Sequence, residues 1–516
     1  MHLPVRAGVL VLAAALLLGG CTAPAPQVVG EQIRISSVPG VAIDRTSFAD
    51  PGVTVPGLVS GLAGDGLSGY RSQQLDWSAC GSLECATVLA PLDYADPASR
   101  AVTLSLARKP ATKSPRLGTL FVNPGGPGGS GKDLVGSFDS KGLEQYDIVG
   151  WDPRGTGDST PVKCYDSAHT DALSGIDSSP DTDAERTALI QATYEFDKSC
   201  WQNSGVLLEH ISTIEVARDL DLLRQLVGDR ELHYLGYSYG TQIGATYAEL
   251  FSQNAGRLVL DAAVNITDSD DVIQAMGFDL ALGNFATWCA EQACGLGASK
   301  QAVLDSITGL FDQLDGAPVR AGTRILTQSL AVTGVAMMLY GGTDAWPTLA
   351  AMVEAAQKGN GRGLLAAADA LNSRDDKGHY GSLFYSLPAI NCLDSDEDKG
   401  VLDADAVWQE DQKKAPIFGK YFGPQYTCAL WPVRPALHLQ IRGAGAKPIV
   451  VIGGTGDNAT PYQQAVDMAR QLDSGVLVTY QGEGHGSYGG KSACVDTIVV
   501  DYLVRGTVPK DGVRCS

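Results

Sequence analysis

Positive charge is what this chain has least of. Its 38 Lys and Arg residues face 58 Asp and Glu across 516 residues, giving a formal net charge of -20, and no basic cluster breaks that field. Such a surface repels a phosphate backbone, which excludes nucleic acid as a partner; it suits solubility or a cationic substrate. Long apolar runs are scarce too. Only GVLVLAAALLLGG near the N-terminus stands out, and it is shorter than the roughly 20 residues a spanning helix needs. There is no internal repeat. No cysteine pair has CxxC spacing with His or Cys partners nearby, so a zinc site is the weaker reading of the cysteines. The glycine-rich NPGGPGGSG is not followed by Gly-Lys-Ser/Thr, which disfavours a phosphate loop. Neither a metal nor a cofactor is required by anything that remains. Histidine is also rare: there are seven.

What is present is a globular composition, 44% hydrophobic and 19% charged, long enough for one large domain carrying an insertion. The first residues, MHLPVR, then the apolar run, then LGGC, read as an export signal over 1–20. LGGC resembles a bacterial lipobox, which would leave Cys21 as a lipidated N-terminus and place the protein on the outer face of a membrane. The 11 cysteines fit that compartment, because removing Cys21 leaves an even ten. Their clustering favours sequential pairing, Cys80–Cys85, Cys164–Cys200, Cys289–Cys294, Cys392–Cys428 and Cys494–Cys515, although spacing alone does not fix connectivity.

Residues 21–75 are rich in Pro, Gly, Ser and Ala, and read as a flexible tether with little core of its own. From 76 to 265 short apolar runs such as TLFVN, YDIVGW, LHYLG and RLVLDAA alternate with helical patterns. In TIEVARDLDLLRQL the residues Ile214, Ala217, Leu220, Leu223 and Leu226 share a face. This alternation predicts an α/β fold, a mostly parallel sheet covered by helices on both sides. It stops between 266 and 430, where helical patterns predict a cap. Strand signals return in KPIVVIGG and GVLVTYQGEGHG, so 431–516 is expected to rejoin the sheet.

LGYSYGTQ carries the chemistry. A hydroxyl attacks poorly unless it is exposed, deprotonated by a base and followed by an oxyanion site. Here Gly-x-Ser-x-Gly lies between a strand-like and a helix-like segment, the context in which Ser238 would sit on a sharp turn, with Gly236 and Gly240 allowing close backbone approach. The Tyr239 amide at the helix start is one expected oxyanion donor, and Gly126 in NPGGPGGSG the other. For the base, His2 leaves with the signal and His233 lies within a strand. His169, His210, His379 and His438 lack a late strand-end loop, and His485 in GEGHGSYGG remains. Asp457, just past KPIVVIGGTG, is the expected partner of the imidazole. Asp261, also at a strand end, is the competitor but is expected instead to brace a turn. Asp152 and Arg154 in GWDPRGTGDS are read as a structural ion pair. The order Ser, Asp, His is that of the α/β-hydrolases.

NPGGPGGSG, DIVGWDPRGTGDSTPVKC, ISTIEVARDLDLLRQLVG, YLGYSYGTQIGATYAELF, AINCLD and GGTGDNATP together resemble the secreted tripeptidyl aminopeptidases and related serine aminopeptidases of actinobacteria, in the proline-iminopeptidase branch of the α/β-hydrolases. The resemblance runs from Cys85 to Cys515. It extends to the lipid-anchored mycobacterial members. It implies an enzyme acting on free peptide N-termini through an acyl-enzyme at Ser238, without cofactor; a carboxylesterase or lipase is the alternative on the same scaffold. It also implies acidic cap residues that bind the substrate ammonium, for which Glu291, Asp344, Asp394 and Glu397 are available.

Overall fold

The continuous apolar runs in the sequence become strands buried on both faces, as a parallel sheet requires. A computed structural model describes residues 52–516, apart from 268, 396–399 and 435. The signal segment, Cys21 and Glu397 therefore lie outside the described residues. The strands are β1 Leu58–Ser60, β2 Ser78–Cys80, β3 Leu83–Pro91, β4 Arg100–Lys109, β5 Gly118–Asn123, β6 Tyr146–Asp152, β7 Leu232–Tyr237, β8 Ala255–Asp261, β9 Val319–Ala321, β10 Arg324–Leu326, β11 Ile449–Gly456, β12 Gly475–Glu483 and β13 Val513–Cys515. All but β9 and β10 form one sheet, ordered β13-β12-β11-β8-β7-β5-β6-β4-β3-β2, with β1 paired to β4. From β6 to β13 along that order every pairing is parallel; β4, β3 and β2 continue it antiparallel.

Strand alternation splits the core between the two faces. Phe121, Val149, Tyr234 and Leu258 pack with helices Thr213–Leu226 and Gly240–Leu250. Leu120, Val122, Leu235 and Val450 pack instead with helices Gly131–Ser137 and Ala493–Val500. The cap has a core of its own, built around Phe278, Phe285, Val303, Phe311, Val335 and Val353. Five disulfides join Cys80–Cys85, Cys164–Cys200, Cys289–Cys294, Cys392–Cys428 and Cys494–Cys515.

Two expectations need correction. The tether assigned to 21–75 does not extend to 75. Val55 and Tyr70 are buried, β1 adds to the sheet, the Tyr70 hydroxyl donates to the Pro97 carbonyl at 2.7 Å, and the Gln73 amide pairs with the Leu89 backbone at 2.8 Å. A few well-placed side chains anchor a stretch whose composition reads as unstructured. The cap is also wider than 266–430. The segment of helices Ser167–Ser174 and Asp183–Ser204, between β6 and β7, joins it through Ser179 on Gln328 and Ser178 on the Tyr421 carbonyl, both in the connection between the helices, and an Arg186–Asp405 ion pair. Conversely, helix Leu383–Asp394 packs into the sheet-side core through Tyr385, Ala389 and Ile390. Much of that joining is polar, and apolar periodicity does not register it.

Candidate active site

Ser238 follows β7 directly, with a φ of 55° that a side chain-bearing residue rarely adopts, and helix Gly240–Leu250 starts two residues later. The flanking glycines are sterically required: a Cβ on Gly236 would sit 2.4 Å from the Gly240 carbonyl oxygen, and one on Gly240 2.9 Å from Asn123 Oδ1. Strand, strained serine and helix have the geometry of a nucleophile elbow.

Three strands along from β7, β12 ends at Glu483 and His485 follows; its neighbour β11 ends at Gly456 and Asp457 follows. The two side chains meet. His485 Nδ1 lies 2.8 and 3.1 Å from the Asp457 oxygens. Asp457 also accepts from the amides of Ala459 at 3.0 Å and Thr460 at 2.9 Å, and the Thr460 hydroxyl lies 3.4 Å from Nδ1. Burial pushes the Asp457 carboxyl up, but His485, the Thr460 amide and the Lys491 charge outweigh it and hold the group below its ordinary range. The far nitrogen, Nε2, is buried and has no hydrogen-bond partner among the described residues. The His485 amide donates to the Tyr340 carbonyl at 3.1 Å, and the Tyr340 ring stands edge-on to the imidazole, so the cap helix Gln328–Tyr340 touches the site.

Ser238 belongs to the same strand ends. Its amide donates to the Asp261 carbonyl at 3.0 Å, and a Cβ on Gly486 would lie 3.9 Å from the Tyr237 ring. Loop 124–130 closes the other side. The Gly125 amide is held by Asn123 Oδ1 at 2.8 Å, whereas neither the Gly126 nor the Tyr239 amide donates to another described residue. Two free backbone donors beside a strained serine are what an oxyanion site needs.

Asp261 is fully buried and does not touch the imidazole. Its carboxylate accepts from the amides of Ser487 at 2.9 Å and Tyr488 at 2.7 Å, which braces the loop after His485; burial raises its pKa, and the Asp457 charge adds to that. Asp152 and Arg154 do not pair with each other. Asp152 binds the Ser130 hydroxyl at 2.6 Å, while Arg154 forms a bidentate pair with Asp219 at 2.7 Å and donates to the carbonyls of Leu92, Pro91 and His210. Asp219 lies on the buried side of helix Thr213–Leu226, a partner 65 positions away that local reading of GWDPRG cannot supply.

The acidic candidates separate. Glu291 and Asp344 are exposed. Asp394 is engaged by Thr213 and Tyr239. Sequence reasoning missed Glu483, two positions before His485: the Asn284 amide of the cap donates to one oxygen at 3.0 Å, and the other is buried without a partner among the described residues. Its position before the histidine loop was the available signal. Elsewhere, Asp181, Glu185 and Asp315 lie within metal-ligand reach of one another, a common arrangement of acidic groups at a surface.

Comparison with known proteins supports the fold and gives the family. Residues 118–349 match the alpha/beta hydrolase fold family and residues 415–515 the TAP-like protein family. The chain is 36% identical to the serine protease Hip1 of Mycobacterium tuberculosis over 86% of this chain and 91% of that protein. It is 34% identical to carboxylesterase B of the same species over 97% and 96%. With the tripeptidyl aminopeptidase of Streptomyces coelicolor it shares 30% identity over 86% and 84%.

Proposed function

Because the chain belongs to the α/β-hydrolase family that holds the tripeptidyl aminopeptidases and serine protease Hip1, we propose that it is an exported serine aminopeptidase acting through Ser238, Asp457 and His485. The observation that carries the reading is the Asp457–His485 contact beside an unpartnered Nε2, at the same strand ends as a serine in a strained turn.

In this mechanism His485 Nε2 takes the Ser238 proton as Oγ attacks the scissile carbonyl. Asp457 keeps the proton of the imidazole on Nδ1 and stabilises the imidazolium that forms. The amides of Tyr239 and Gly126 receive the oxyanion. His485 then returns its proton to the leaving amine, and water repeats the sequence on the acyl-enzyme. The released product is a short peptide or residue from a free N-terminus. We further propose that Cys21 carries the lipid that holds the enzyme on the outer membrane face. The relative named carboxylesterase B favours esterase action as the second reading.

Fluorogenic di- and tripeptide amides with free and acetylated N-termini, beside a short-chain p-nitrophenyl ester, separate the two. Preference for the free N-terminus is expected, with loss of turnover in Ser238→Ala. Equal cleavage of the acetylated peptide would rule out an aminopeptidase, and undiminished turnover by Ser238→Ala would remove the nucleophile assignment.

A further inference from the structure

Asp394 is the last residue of helix Leu383–Asp394, and its carboxylate joins three elements behind the elbow. One oxygen accepts from the Thr213 amide at 2.8 Å; the other accepts from the Thr213 hydroxyl and from the Tyr239 hydroxyl, the latter at 3.2 Å. The hydroxyls of Thr213 and Tyr239 also contact each other, and both residues are buried. Thr213 is the first residue of helix Thr213–Leu226, where unpaired amides and the helix dipole favour an anion. Tyr239 is the residue after Ser238. The Thr241 and Gln242 amides bond back to the carbonyls of Ser238 and Tyr239, at 2.8 and 2.9 Å, so Tyr239 is held at its carbonyl by the helix and at its hydroxyl by Asp394. Its own amide donates to no other described residue. Two positions before Asp394, Cys392 is tied to Cys428 in helix Tyr426–Leu430, which fixes the end of the helix that supplies the carboxylate.

We infer that Asp394 is a positioning residue for the oxyanion site: with Thr213 it clamps the Tyr239 side chain and so aims the Tyr239 amide at the carbonyl attacked by Ser238. This rests on Ser238 being the nucleophile. Burial raises the Asp394 pKa to about 6, the cost of keeping an acid at this place. The clamp makes helix Leu383–Asp394, which lies within the insertion but packs in the sheet-side core, a part of the catalytic frame.

The test uses p-nitrophenyl butyrate turnover per active site titrated with a fluorophosphonate, and inhibition by phenylboronic acid, whose tetrahedral serine adduct needs the same amide. Tyr239→Phe and Asp394→Asn are each expected to lower kcat about tenfold with KM little changed, and to raise the boronate Ki by the same factor, as misaiming one donor should. The double variant should be no worse than the poorer single one, because both break one clamp. A merely structural role would alter the titrated fraction and the melting temperature but leave kcat per site and Ki unchanged; that result, or losses that multiply in the double variant, overturns the inference. Should Asp394→Asn fail to fold, Thr213→Val with Tyr239→Phe supplies the same cycle and the same criteria. Fluorophosphonate labelling of Ser238→Ala would instead sink the nucleophile assignment, and the clamp with it, by a separately visible route.

Discussion

Gly125 has a φ of 89°, and a Cβ there would lie 2.5 Å from the Tyr237 carbonyl oxygen and 2.8 Å from the Tyr239 nitrogen. Both neighbours are backbone of the elbow and cannot rotate away. Gly125→Ala is therefore expected to push loop 124–130 off the serine and lower kcat by about 100-fold or more, as loss of an oxyanion donor does. Fluorophosphonate titration with pre-steady-state turnover measures it; near-normal kcat would show the loop to be uninvolved. At this scale the sequence was most legible. Gly-x-Ser-x-Gly between a strand and a helix, one histidine surviving elimination and an aspartate after a strand are local signals, and His485 and Asp457 do meet. Glu483, Asp394 and the Arg154–Asp219 pair were not legible as such, because each acquires its meaning from a residue far along the chain. Arg154 shows how much such a pair matters. It and Asp219 are both fully buried, so Arg154→Ala strands a carboxylate in the core. A loss of about 3–5 kcal/mol is expected in urea unfolding; a loss below about 1 kcal/mol would mean that water reaches Asp219.

The strand ends also set two buried carboxylates against each other. Asp261 after β8 holds the loop behind His485, and its pKa is raised by burial; Asp457 after β11 is lowered, because burial is outweighed by His485, the Thr460 amide and the Lys491 charge together. The signs follow from linkage. A raised folded pKa gives stability that is complete below the unfolded value and is lost as pH rises through the folded one. A lowered pKa gives stability present above the unfolded value and lost as pH falls through the folded one. Asp261→Asn should therefore compare more favourably with the parent at pH 7 than at pH 4. Asp457→Asn should compare less favourably at pH 5 than at pH 3. Unfolding free energies of both variants at those pH values check this, and slopes of the same sign would contradict it. Elements were legible where periodicity was strong, as in Thr213–Leu226, and illegible where a few anchors did the work. The packing of Tyr70 against Pro97 is invisible to a composition that reads as tether.

Over the whole molecule, the cap keeps an apolar core apart from those on the two faces of the sheet, yet it reaches the site at Tyr340, while helix Leu383–Asp394 reaches it at Asp394 from the sheet-side core, where Cys392–Cys428 ties it to helix Tyr426–Leu430. Cys164–Cys200 and Cys392–Cys428 each span 36 positions. In the chain-entropy account, closing loops of that length removes about 3–4 kcal/mol of unfolded-state freedom per bridge. Cys392 carries a further consequence, because it fixes the helix end from which Asp394 reaches Tyr239. Replacing Cys392 and Cys428 together by Ser is therefore expected to do more than lower the melting temperature. It should also reduce kcat per titrated site, whereas the same replacement at Cys289 and Cys294, inside the cap core, should leave kcat unchanged. The comparison is made on protein folded under oxidising conditions, with esterase turnover at a temperature where both variants remain fully folded by circular dichroism. Equal kcat in the two would show that the Cys392–Cys428 bridge lends the site only stability, and that the geometry of the oxyanion amide is set without help from the end of helix Leu383–Asp394.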